Sequence, residues 1–351
     1  MTDDILFERR GAAGLITLNR PQALNAVTHD MVRLLHAQLG AWGRDPAITR
    51  VVITAAGGRA FSAGGDIRHL YDLAQAGRHA EAQQFWRDEY PLNVAIKNFR
   101  KPYVALIDGI VMGGGVGVSV HGSHRVAGDR FQFAMPEVGI GFFPDVGATW
   151  FLPRMPGELG TFCGLTGERF GSADAVAAGL ATHRIPSGRF DALLDGLTGT
   201  VSVDALLAAF AEPAGDGAIV ARRGAIDRLF KGSQVEDILA ALDREAAAGG
   251  ADAEWAAKTA ATMRVKSPLS LKLALAQVRR GKAWDFETCM RAEFRIVSRV
   301  IHGHDFYEGV RAVIVDKDNR PRWQPATLAE VSAAEVERHF ASLGAGELVL
   351  P

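Results

Sequence analysis

The densest concentration of candidate chemistry is the run Met112-Gly-Gly-Gly-Val-Gly117, followed by Pro136-Glu137 and then by Pro144-Asp145. Three consecutive glycines leave the backbone bare, so its N–H groups can approach a ligand and take φ values closed to other residues. Bare N–H groups are what a developing oxyanion needs. The two acids downstream add carboxyl groups that could move a proton or attack a carbonyl. Other glycine motifs do not fit. A dinucleotide fingerprint fails because Val118 and Val120 stand where its last glycine belongs. A phosphate-binding Walker loop would need a lysine after the glycines, and none follows. A serine nucleophile elbow around Ser119 fails because His121 replaces its final glycine.

A second glycine segment lies upstream, Arg59-Ala-Phe-Ser-Ala-Gly-Gly-Asp66, directly after the β-branched run Arg50-Val-Val-Ile-Thr54. The pattern predicts a strand, a tight turn and a helix that starts at Ile67 with Asp66 as its cap. Gly65 could then supply a second N–H donor. One donor polarises a carbonyl weakly, whereas two aimed at one oxygen form a hole, and losing one costs about 10²–10³ in rate. Glu137 has apolar neighbours on both sides, Phe131-Gln-Phe-Ala-Met-Pro136 and Val138-Gly-Ile-Gly-Phe-Phe143. Such surroundings disfavour its charged form and raise its pKa. Residue type alone leaves Glu137 open between a site and a solvated surface, and Asp145 between a site and a turn, because Pro-Asp-x-Gly is ordinary turn chemistry.

Four segments together carry a family resemblance: Phe61-Ser-Ala-Gly-Gly-Asp-Ile67, Lys101-Pro-Tyr-Val-Ala-Leu-Ile-Asp-Gly109, Met112-Gly-Gly-Gly-Val-Gly117 and Ala134-Met-Pro-Glu137. In these the chain resembles the crotonase (enoyl-CoA hydratase/isomerase) superfamily, which binds acyl-CoA thioesters. The resemblance implies that Gly65 and Gly114 donate the oxyanion-hole N–H groups, with Gly64, Asp66 and Gly113 beside the substrate. It also implies an α/β core coiled as a spiral of β-β-α repeats. A hydratase of this superfamily carries one glutamate two residues after the triplet and a second in the Pro-Glu segment. Here the first position is Gly117, and Asp145 instead stands in Ile140-Gly-Phe-Phe-Pro-Asp-Val-Gly147.

That departure, with Phe151-Leu-Pro-Arg154, Ala178-Gly-Leu-Ala-Thr-His183 and the stretch from Gly303 to Asp318, is similar to the 3-hydroxyisobutyryl-CoA hydrolase branch. The branch implies hydrolysis of a short 3-hydroxyacyl-CoA in valine degradation, with Glu137 and Asp145 as the working carboxyls. Glu89, before Tyr90, is implied as a substrate-pocket residue. No cofactor is implied, since CoA arrives as part of the substrate. The alternatives are a hydratase or isomerase with a non-standard carboxylate pair, and a non-enzymatic acyl-CoA-binding module; a binder has no use for an acid–base pair.

The elements needed to position these residues are partly readable. Leu15–Leu18, Val51–Thr54, Val104–Ile107 and His124–Ala127 read as strands, and Thr28 caps a predicted helix reaching Trp42. Strands alternating with helices indicate an α/β core. Beyond Pro186 the texture turns Ala- and Leu-rich, with helices predicted at Ala205–Phe210, Val235–Ala248 and Leu269–Arg279. We therefore divide the chain into a catalytic core, residues 1–190, and a mainly helical extension, 191–351, able to cover the site or to join copies in a homo-oligomer.

The remaining residues narrow the classes. His302-Gly-His304-Asp305 lacks a further ligand-spaced pair, so a structural or substrate-lining role is expected rather than a metal. His121, His124 and His183 are expected to pack or hydrogen-bond. Cys163 and Cys289 are isolated, which fits a reducing compartment. Arg59 and Arg68 lie near the first glycine segment, without identifying the cations that would meet CoA phosphates. With 351 residues, 48% hydrophobic, a large core is affordable, and a net charge of −1 gives no support for nucleic-acid binding. The acidic start and the lack of a long apolar run predict a cytoplasmic protein without membrane spans.

Overall fold

The computed structural model describes residues 3–351, and its strands form two sheets. The larger contains β1 (Ile5–Arg10), β2 (Ala13–Leu18), β3 (Arg50–Ala55), β5 (Tyr103–Ile107), β7 (His124–Ala127) and β9 (His183–Arg184), in that order. Only β1 and β2 pair antiparallel; the rest are parallel, in a register that aligns Leu15 with Val52 and Val52 with Val104. Parallel strands are buried on both faces, hence their continuous apolar runs. One face, with Leu15, Val52, Val104, Leu106 and Val126, packs against Leu193, Leu197, Val203 and Leu207. The other sends Ile16, Val51, Ile53, Ala105 and Ile107 into the main core.

The smaller sheet is parallel, with β4 (Ala60–Ser62), β6 (Ile110–Met112) and β8 (Gln132–Ala134) in that order. Each of its strands follows a strand of the large sheet: β3 leads to β4, β5 to β6, and β7 to β8. This is the expected β-β-α spiral. Strands of three residues are too short for a periodicity signal, which is why only the large-sheet strands were predicted.

Two of the predicted caps form. Helix α1 (His29–Arg44) starts where Thr28 accepts the Met31 N–H at 3.2 Å, and it runs two residues past the predicted end. Helix α2 (Ile67–Gln75) is capped by Asp66, which accepts the His69 N–H at 3.3 Å. Helix α3 (His79–Lys97) follows and carries Glu89 and Tyr90 inward. Helix α4 (Gly114–Gly117) opens from the glycine triplet. Beyond residue 190 the helices include Val203–Phe210, Val235–Ala248, Pro268–Gly281 and Phe286–Val300, close to the three predicted and adding the last. A single apolar cluster joins Ile5 and Phe61 to Phe294, Val310 and Leu348. No helix among the described residues is long and apolar enough to cross a membrane.

The two glycine segments meet across β4 and β6. A β-carbon on Gly115 would sit 2.6 Å from the backbone oxygen of Ser62, closer than real side chains approach. Because that oxygen belongs to backbone, the clash cannot be relieved by a rotamer change. Gly115→Ala is expected to destabilise the protein by about 1–3 kcal/mol, as overpacked cores do. Urea unfolding followed by circular dichroism would check it; an unchanged midpoint would refute the close packing.

Candidate active site

The ends of the three short strands deliver the site. After β4 the chain turns through Gly64, with φ of +121°, into Gly65 and the capped helix α2. This turn is pinned from below: Val27 N–H donates to the Gly64 carbonyl at 2.8 Å, and Asp66 N–H donates to the Val27 carbonyl at 2.9 Å. After β6 the chain turns through Gly113, at φ of +45°, into α4. After β8 come Pro136 and Glu137, the latter opening a short 3-10 turn. Ligands in parallel α/β sheets bind beyond the carboxyl ends of the strands, and here three such ends converge.

Gly114 is required by close approach, whereas Gly64 and Gly113 are required by their positive φ and meet their neighbours at ordinary contact. A β-carbon on Gly114 would lie 3.1 Å from the Gly65 nitrogen and 2.9 Å from Glu89 Oε1. One on Gly64 would lie 3.9 Å from the Gly114 nitrogen, and one on Gly113 would lie 3.5 Å from Glu137 Oε1. Among the described residues, neither the Gly65 N–H nor the Gly114 N–H donates to a protein acceptor. Two uncommitted donors thus face one space, with Glu89 and Glu137 beside it.

That space is a cavity of about 740 Å³. It is lined by every residue selected from the sequence: Gly64, Gly65, Asp66, Glu89, Gly113, Gly114, Glu137 and Asp145. Asp66 has structural work as well, for Arg20 donates to its carboxylate at 3.1 Å while it caps α2. Arg20, Arg68 and Lys266 also reach the cavity; Arg59 does not line it. Val313, Ile314 and Asn319, from the C-terminal half, close one side.

The carboxyls are buried, and none of them forms an ion pair among the described residues. Glu137 is 6% exposed and Asp145 5%. Burial holds Glu137 well above the usual carboxylate range, and the neighbouring charge of Asp145 adds to this. Burial pushes Asp145 up to about 7, against the stabilising hydrogen bond from the Tyr90 hydroxyl at 3.1 Å. Glu89 is also raised well above its ordinary value, by burial and then by Asp145 and Glu293. Glu89 Oε1 and Glu137 Oε2 are buried without a hydrogen-bond partner among the described residues. Buried polar atoms are nearly always paired, so these two mark where a ligand's polar atoms would go.

Several neighbours escaped the sequence reading. Trp86 lines the cavity and stacks on Phe142 at 5.7 Å between ring centres; Tyr90 holds Asp145. Trp86, Glu89 and Tyr90 are spaced for one face of a helix, a signal that was available. Glu293 and Lys266 had none, since only long-range folding brings them near. The histidines take other work. His121 is driven down to about 3 by burial and donates its Nε2–H to the Val146 carbonyl at 2.6 Å. His124 pairs with Asp204, His183 with Thr182, and His302 packs against His79. His304 Nδ1 lies 3.3 Å from Asp305 Oδ1. No group of three or more metal-ligating side chains occurs among the described residues. Cys163 and Cys289 are buried free thiols, both raised by burial.

Comparison with known proteins agrees with this geometry. A sequence model for enoyl-CoA hydratase/isomerase matches residues 13–340. The mitochondrial 3-hydroxyisobutyryl-CoA hydrolase of Danio rerio is 44% identical, covering 99% of this chain and 92% of its own. The Homo sapiens protein of that name is 40% identical, covering 99% and 90%. Among solved structures, a carnitinyl-CoA dehydratase from Mycobacterium thermoresistibile superposes with a TM-score of 0.92 at 44% identity, covering 99% of both chains. An enoyl-CoA hydratase from Rhodobacter sphaeroides 2.4.1 gives 0.92 at 40% identity, covering 99% of this chain and all of its own.

The raised Asp145 pKa has a consequence for stability. Below its unfolded value of 3.8 the group is protonated in both states; from there to about 7 only the folded chain keeps the proton. Its contribution is therefore full at low pH and lost as pH rises through about 7. The melting temperature of wild type is expected to fall between pH 5 and pH 8, and that fall to shrink in Asp145→Asn. Equal slopes in calorimetric scans across the range would contradict the burial of an uncompensated carboxyl.

Proposed function

The chain belongs to the enoyl-CoA hydratase/isomerase family, and we propose that it hydrolyses 3-hydroxyisobutyryl-CoA, or a similar short 3-hydroxyacyl-CoA, to the free acid and CoA. Full-length likeness to hydrolases of that name supports the reading, with valine degradation as the proposed setting. The observation that carries it is the cavity holding two free N–H donors, Glu137 and Asp145, with no carboxyl at position 117.

The thioester oxygen sits between the N–H groups of Gly65 and Gly114, where the tetrahedral oxyanion is stabilised. Glu137 lies beside Gly113 on the rim of this hole. It acts in its ionised form by one of two routes. As general base it takes a proton from water while the water oxygen bonds to the acyl carbon. As nucleophile it bonds to that carbon itself, giving an anhydride that water then opens. In both, the C–S bond breaks as the oxyanion collapses, and the leaving thiolate takes a proton from the carboxyl pair. Asp145, with a pKa near 7, is suited to exchange that proton and to orient water or the substrate hydroxyl. Glu89 Oε1 faces the same space and can accept from a hydroxyl on the acyl chain.

The solved structures with matching fold carry the names of a hydratase and a dehydratase, so hydration is the second reading. It would have to use the non-standard pair Glu137 and Asp145, because the usual first glutamate has no place at position 117. A β-carbon on Gly117 would lie 2.8 Å from Asn93 Nδ2 and 2.9 Å from Val146 Cβ, so the side chain of a hydratase glutamate has no room there. A non-enzymatic binder would not need buried acids at a cost in stability. A homo-oligomer fits the helical surface of the C-terminal half, although this chain supplies Val313, Ile314 and Asn319 to its own cavity. The buried free thiols fit a reducing compartment. The hydrolases compared are named as mitochondrial, so the expectation of a cytoplasmic protein gains no support from them.

Free-thiol release from 3-hydroxyisobutyryl-CoA and 3-hydroxypropionyl-CoA is expected from wild type, with kcat lowered about 10²–10⁴-fold in Glu137→Gln and in Asp145→Asn. Hydration of crotonyl-CoA without thiol release, or variants as fast as wild type, would overturn the assignment. A single turnover in ¹⁸O-water, read by mass spectrometry, shows the anhydride by label in Glu137, which enters when water opens the anhydride at the glutamyl carbon. The general-base route leaves that side chain unlabelled, and hydroxylamine trapping of a Glu137 acyl adduct separates the routes when water attacks the acyl carbon instead.

A further inference from the structure

Asp145 is carried by an unusual turn. Val146, a β-branched residue, has φ of +50°, and Gly147 follows at +90°. Positive φ at a β-branched residue is a true outlier, which persists only where the surroundings hold it. Gly147 cannot be replaced cheaply, because a β-carbon there would lie 2.5 Å from the His121 ring. The turn is gripped from three elements. His121 donates to the Val146 carbonyl. From the helix Pro268–Gly281, Gln277 Nε2 donates to the Pro144 carbonyl at 2.9 Å and to Thr149 Oγ1 at 2.8 Å. From the helix Phe286–Val300, Glu293 accepts the Gly147 N–H on Oε2 at 2.8 Å and the Thr149 N–H on Oε1 at 2.9 Å.

Glu293 is fully buried and does not line the substrate cavity, so the reaction gives it no direct part. A buried acid with no cation beside it needs a reason to be there. Both of its oxygens are spent on backbone N–H groups, and these belong to the residues two and four places after Asp145. Meanwhile the Asp145 side chain is fixed from α3 by the Tyr90 hydroxyl. Tyr90 therefore orients the carboxyl, while Glu293 fixes the backbone from which it projects.

We infer that Glu293 is a positioning residue for hydrolysis, its carboxyl clamping the Gly147 and Thr149 N–H groups so that the strained turn presents Asp145 to the thioester. This rests on the hydrolase reading, in which Asp145 handles protons. Glu293→Gln keeps the shape but offers only one acceptor oxygen, and its amide N–H₂ faces a backbone donor. The turn then relaxes at Val146, and misplacement of a reacting group by about 1 Å costs about 10²-fold.

The test is a double-mutant cycle with Asp145→Asn, read as free-thiol release and supported by melting temperatures. Glu293→Gln alone is expected to lower kcat about 10²-fold, with KM within about threefold of wild type. In the Asp145→Asn background the same substitution is expected to cost less than about twofold more, because its effect passes through a group already removed. A general weakening of the fold would lower activity by the same factor in both backgrounds. That additivity, or a Glu293→Gln enzyme with wild-type kcat, overturns the inference. Should Glu293→Gln prove too unstable to purify, Glu293→Asp, which keeps the carboxyl and withdraws it by one methylene, goes through the same cycle with the same deciding outcomes. Wild type without thiol release would instead mark failure of the hydrolase reading itself.

Discussion

The backbone of Gly114 lies against that of Gly64 and Gly65, and the rest of the site follows from this approach. No side chain can stand between the loops, since a β-carbon on Gly114 would already press on the Gly65 nitrogen and on Glu89. The approach is enforced by the three-stranded sheet, because β4 and β6 are parallel neighbours whose carboxyl ends emerge together. The third strand of that sheet brings Glu137 to the same end. A parallel sheet of minimal size thus converts three distant stretches of sequence into one rim. The large sheet and its helices serve as the rigid support that keeps these short strands, which could not persist alone, in register.

Sequence reading was strongest where chemistry needs particular residue types. A glycine triplet, a second glycine pair before a capping aspartate, and Glu137 between two apolar runs were legible as candidate chemistry, while residue type alone left Glu137 and Asp145 open and family likeness selected them. The long β-branched strands and the Thr28 and Asp66 caps were legible for the same local reasons. The three-residue strands β4, β6 and β8 were not, because their pairing is decided by neighbours far along the chain. The spiral architecture came from family likeness and not from periodicity. The contribution of Val313, Ile314 and Asn319 to the cavity was foreseen only as a tail able to cover the site. Which tail residues do so depends on how the C-terminal helices pack.

Four buried carboxyls, Glu89, Glu137, Asp145 and Glu293, gather in one region of the core, each raised chiefly by loss of water. A cation among them would lower these pKa values and leave the acids permanently charged. Among the described residues none of the four is ion-paired, and this has a chemical use. A carboxyl with pKa near neutrality can both release and accept a proton at modest cost, whereas a surface carboxylate is a poor acid at the same pH. The fold bears this cost through the dense aromatic packing of Trp86, Phe142, Phe143 and Phe306 around the site.

The C-terminal half matters for the same reason. Glu293 and Gln277 come from helices beyond residue 265, yet they hold the turn bearing Asp145, while the strands that carry the Gly65 and Gly114 loops end before residue 140. Position 117 shows the reciprocal arrangement: Gly117 is glycine because Asn93 and Val146 occupy its surroundings, and Val146 belongs to the Asp145 turn. The turn therefore does two things at once. It excludes the side chain that hydration would use and places a different carboxyl at the same cavity. A change of reaction within one scaffold need not alter the two glycine loops at all, only the turn beside them and the helices that secure that turn.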